Sequence, residues 1–63
     1  MTREEVVARL NALADEMVDV ACQLDYFGGF NELWLDKSKE LRGAAGIAQE
    51  WAAELAAQGS EED

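Results

Sequence analysis

The chain contains no histidine, no proline and one cysteine, and its five lysines and arginines face fourteen aspartates and glutamates. Each scarcity closes off a class of chemistry. Histidine is the side chain whose ordinary pKa lies nearest neutrality, and it is the usual general base and metal ligand. Cys22 therefore has no imidazole to activate it and no second thiol to pair with, so a catalytic thiol, an intrachain disulfide and a structural zinc site all lack partners. Cys22 reads instead as a small, half-buried apolar residue near the end of a helix. No apolar run approaches the ~18–20 residues of a membrane span, and no charged-then-apolar leader opens the chain. The expectation is a cytoplasmic protein. A formal charge of −9 argues against direct contact with nucleic acid or anionic membranes, and favours a protein partner with a basic surface.

What is present is helical. Alanine and leucine dominate, and nothing of proline's kind interrupts them. Thr2-Arg3-Glu4-Glu5 reads as a capping box. Val6, Leu10, Leu13, Met17, Val20 and Leu24 then follow a 4-3-4-3-4 spacing, predicting an amphipathic helix from about residue 3 to about 24. Val7, Ala14, Val18 and Ala21 widen its apolar arc to roughly 160°, more than one partner helix covers. The extra width predicts a second contact, and Val7, Val18 and Ala21 are its candidates for self-association.

Asp25 through Asn31 breaks the pattern. Gly28 and Gly29 permit a turn, Phe27 and Phe30 are expected to fold inward and plug the open end of a hairpin, and Asn31 is a good N-cap. A second helix is expected from about 32 to about 57. Leu33, Trp34, Leu41, Ala44, Ala45, Ala48, Trp51, Ala52 and Leu55 share its inward face, while Gly43 and Gly46 could break it. Residues 1–58 form a single helical domain in this reading, and 59–63 an acidic disordered tail. The fold class is all-α: a hairpin of two long helices, with a homodimer giving a four-helix bundle as one route to a complete core and a three-helix monomer as the rival.

The chemistry lies on the outer face of the second helix. At about 100° per residue, Glu32, Asp36, Glu40, Glu50 and Glu54 fall within a sector of roughly 80°. Carboxylates at i,i+4 lie about 6 Å apart, comparable to phosphates along a DNA strand, so such a row can compete for the Lys and Arg that hold phosphates. The bland alternative is a solvated helix face that keeps a small protein soluble, with Lys37, Lys39 and Arg42 weakening the field. Ile47 projects between the acids and Leu35 lies off the apolar arc, so both are candidate contacts. Tyr26 in the aromatic loop is a third. Asp15, Glu16 and Asp19 have helical spacing for a hard cation, but no calcium loop or denser carboxylate set accompanies them. No catalytic residue, metal site or cofactor is assigned.

In its short length, acidity, lack of catalytic residues and helix-rich pattern, the chain resembles the small accessory proteins of bacteriophages and mobile elements, including anti-CRISPR proteins. The stretch from Phe27-Gly28-Gly29-Phe30 through Leu41-Arg42-Gly43-Ala44-Ala45 is similar in character to such proteins. The resemblance implies an inhibitor that blocks a nucleic-acid-binding surface, in some cases as a DNA mimic, with Glu32, Asp36, Glu40, Glu50 and Glu54 as the residues that would do so. A self-assembling structural or adaptor protein is the alternative.

Overall fold

A computed structural model describes the backbone of residues 1–62 and the side chains of residues 1–58. The chain is an antiparallel hairpin of two helices, α1 (Arg3–Phe27) and α2 (Glu32–Glu62), joined by a four-residue turn. The acidic tail expected at 59–63 lies outside the residues whose side chains are described.

Helix α1 starts where its cap predicts. The Glu5 amide donates to Thr2 Oγ1 at 3.1 Å, and the Val6 amide donates to the Thr2 carbonyl at 3.1 Å. The first satisfies one of the four amides that a helix start leaves unpaired, and the second is the first bond of the helix itself. The helix continues a turn beyond the expected end near 24, because the Gly28 amide still bonds the Leu24 carbonyl at 2.8 Å. Gly29 then takes a positive φ of 63°, and Phe30 follows at 58°, a conformation that costs a non-glycine residue about 1 kcal/mol. The Phe30 and Asn31 amides bond the Asp25 and Gly28 carbonyls, which closes the turn.

Helix α2 runs through Gly43 and Gly46 without a break. The two glycines remain costly in a helix interior, yet packing of one face against α1 outweighs local propensity.

The helices meet along two interlocking rows. Val7, Leu10, Ala14, Met17, Ala21 and Leu24 of α1, and Ser38, Leu41, Ala45, Ala48, Ala52 and Leu55 of α2, each repeat with 3-4-3-4-3 spacing and are all buried or half-buried. Among the described residues the buried side chains are Ala14, Ala21, Ala45, Ala48 and Ala52 with one polar group, Ser38. Met17 packs against the cluster of Ala14, Ala45 and Ala48. This seam keeps Leu10, Met17 and Leu24 of the expected one but moves its alternate positions on by one residue: Ala14 and Ala21 face α2, while Leu13 and Val20 stay exposed. Small side chains let the two backbones approach closely, and branched or longer ones at the same level would hold them apart.

That closeness also corrects the aromatic plug. Phe27 is 92% exposed and Phe30 is mostly exposed, because an alanine-thick seam has no room for a ring between its helices. Trp34 fills the end of the hairpin instead: a Cβ on Gly28 would fall on its Cβ and Cγ. Lys37 Nζ lies 5.8 Å from the Trp34 ring centroid. The expected inward position of Trp51 is likewise not found, since this residue is 58% exposed.

Candidate functional site

The outer face of α2 is set up from its first turn. The Trp34 amide donates to Asn31 Oδ1 at 3.1 Å, and Asn31 Nδ2 donates to the Gly28 carbonyl at 2.8 Å. Asn31 thus caps α2 and ties it to the turn at once, and Glu32 enters at the positive end of the helix dipole. From there the unbroken helix carries Glu32, Asp36, Glu40, Glu50 and Glu54 on the side opposite the seam, all exposed. Among the described residues none of the five carboxylates forms a hydrogen bond or ion pair. Over 22 residues at 1.5 Å each, the row spans about 33 Å.

The candidate apolar contacts separate. Ile47 is 48% exposed and lies within the acidic sector, in the gap between Glu40 and Glu50. Leu35 is half-buried on the α1 side, so it is partly withdrawn from any partner of the acidic face. Tyr26 is exposed in the last turn of α1, at the end of the hairpin where the acidic row begins, with its ring edge-on to Phe30 at a centroid distance of 5.4 Å. Of the residues proposed for self-association, Ala21 is fully buried against α2 and Val7 is half-buried in the same seam. Ala21 is thereby closed to a second chain. Val18 is exposed, but on the edge that also carries Asp25 and Arg42.

The sequence reading missed a polar cluster across the helices near the turn. Ser38 Oγ donates to Asp25 Oδ1 at 2.5 Å and lies 2.9 Å from the Leu35 carbonyl oxygen. Arg42 Nη2 bonds Asp25 Oδ2 at 3.0 Å, its Nη1 donates to Ser38 Oγ at 3.3 Å, and Cys22 Sγ lies 3.6 Å from Nη2. The Ser38 hydroxyl, and after it the Arg42 guanidinium, hold the Asp25 carboxyl below the usual carboxylate range. Asp25 in turn raises Arg42 further. The available signal was Ser38 itself, a polar residue one turn from Arg42 at a seam position where its neighbours are alanines.

This cluster fixes the register of the hairpin. Cys22, expected to be half-buried, is exposed at the edge of the cluster. Among the described residues no three Cys, Asp or Glu side chains converge to hold a metal ion, and no helix is long and apolar enough to cross a membrane. No family model, characterised protein sequence or solved structure matches the chain.

Proposed function

We propose that this is a non-catalytic regulator that binds a basic, nucleic-acid-binding surface of a protein partner through the outer face of α2. The observation that carries this reading is the row Glu32, Asp36, Glu40, Glu50 and Glu54, exposed and unpaired within the described residues along a continuous helix. Its length of about 33 Å is close to one turn of duplex DNA, ~34–36 Å. Fixed carboxylates at such spacing offer a Lys- or Arg-lined groove the charges it would otherwise draw from phosphates, and the net charge of −9 steers the encounter. Ile47, amid the row, adds an apolar contact that phosphates cannot supply. An anti-defence role of the anti-CRISPR kind is the biological setting that the resemblance in type suggests.

The test is capture of bound protein from bacterial lysate at low and high salt, comparing wild type with Glu32→Lys/Asp36→Lys/Glu40→Lys. A partner that handles nucleic acid, retained at low salt, released at high salt and lost in the charge-reversed variant, is the expected result. A partner retained equally by both proteins would dispose of the acidic face as the binding site.

The alternative, a self-assembling structural or adaptor protein, is favoured by a different observation: the large apolar side chains that the hairpin leaves uncovered.

A further inference from the structure

The hairpin buries only small side chains. None of its described leucines, valines, methionines, phenylalanines or tryptophans is buried, and eleven large hydrophobic residues are exposed. Four of them, Leu13, Val20, Phe27 and Trp51, gather on one side of the hairpin, whereas Val18 lies on the opposite edge and Ile47 in the acidic sector. On α1, Leu13, Val20 and Phe27 recur every seven residues along one flank of the seam, continuing the line of half-buried Val6. On α2, Lys37, Ala44 and Trp51 hold the equivalent flank. In an antiparallel pair these two flanks lie on the same side of the hairpin, just as Asp25 and Arg42 meet on the other. Half-buried Leu10, Met17, Leu24, Leu41 and Leu55 sit between the flanks, each the next seam position toward that side. An open groove of about 430 Å³ runs along the α1 flank of this face, lined by Val6, Leu10 and Leu13 together with Met1, Ala12 and the charged Arg9 and Glu16.

We propose that a second copy of this chain covers this face, the two hairpins packing about a two-fold axis into an antiparallel four-helix bundle. Three arguments select a second copy. First, the hairpin lacks a core of its own. Alanine layers contribute little apolar burial, and chains of this size usually need an added staple. A staple in the form of a second copy would turn the half-buried leucines and Met17 into a central layer. Second, the size fits. The face is about 37 Å long over α1 and 16 Å wide, a projection of roughly 600 Å². That is of the same order as the ~800 Å² per partner of a standard interface. Third, the pairing is chemically compatible at its centre, which is apolar, so like meets like across the two-fold axis; of the acidic row, Glu40 borders the face beside Ala44 and Trp51, while Glu32 and Glu50 point away from it.

This inference is independent of the acidic-face reading, and salt separates the two. Each copy carries −9, so screening strengthens the dimer while it weakens an encounter between carboxylates and a basic partner. The experiment is sedimentation equilibrium of the full chain from micromolar to millimolar concentration at low and high salt, together with thermal melts over the same range. The expected result is a mass of two chains, favoured by salt, and a melting temperature that rises by roughly 5 °C per tenfold increase in concentration. Trp51→Glu and Leu13→Glu should each shift the mass to one chain, whereas Val18→Glu, on the opposite edge, should leave the dimer intact. If either variant fails to fold, the wild-type concentration dependence still decides. A one-chain mass and a concentration-independent melt at the highest concentration would overturn the proposal, as would a dimer broken by Val18→Glu but not by Trp51→Glu.

Discussion

Replacing Gly43 and Gly46 by alanine tests the continuity of α2 directly. Both residues are exposed, and a Cβ built on either meets no atom within 4 Å. Neither lies on the seam nor on the apolar face, so the substitution leaves packing unchanged. What remains is the intrinsic preference of a helix interior for alanine over glycine, about 1 kcal/mol per site. The double variant should therefore gain about 2 kcal/mol, a large increment for a domain of this size, whose core rarely supplies more than ~3–5 kcal/mol. At about 4–8 °C per kcal/mol, the melting temperature should rise by roughly 8–16 °C. The assay is thermal and urea denaturation followed by circular dichroism at one fixed protein concentration, so that association does not contribute to the difference. An unchanged or lowered melting temperature would refute the reasoning. It would mean that α2 is not helical through these positions or that another backbone approaches them.

Two further predictions concern the turn end of the hairpin. Gly28→Ala should destabilise by roughly 1–3 kcal/mol, because its new Cβ meets Trp34 at Cβ and Cγ, atoms too near the backbone to swing aside; a lowered melting temperature and altered tryptophan fluorescence would check it. Asp25 should make stability depend on acid pH. Its folded pKa lies below the unfolded value of about 3.9, so its contribution is complete above that value and is lost as pH falls through the folded pKa. The gap in melting temperature between wild type and Asp25→Asn should thus be full at pH 6 and close below about pH 4; a gap unchanged at pH 3 would remove the Ser38–Asp25–Arg42 cluster as its source.

The periodicity of apolar residues, the Thr2 and Asn31 caps and the glycine pair were enough to determine a two-helix hairpin, because each acts within a few residues along the chain. The outward position of Glu32, Asp36, Glu40, Glu50 and Glu54 was legible for the same reason: helical spacing puts them opposite the apolar arc. The rotation of α1 within that arc was not. Leu13 and Ala14, or Val20 and Ala21, are adjacent in sequence and all apolar, with the larger member the more hydrophobic, and only the close approach of a second helix selects the smaller member of each pair. The same approach expelled Phe27 and Phe30, seated Trp34 over Gly28, and drew Asp25, Ser38 and Arg42 together from both helices. Local spacing thus determined which residues share a face. The distance between two backbones, which depends on every side chain along the contact, decided which face was covered and which was left open.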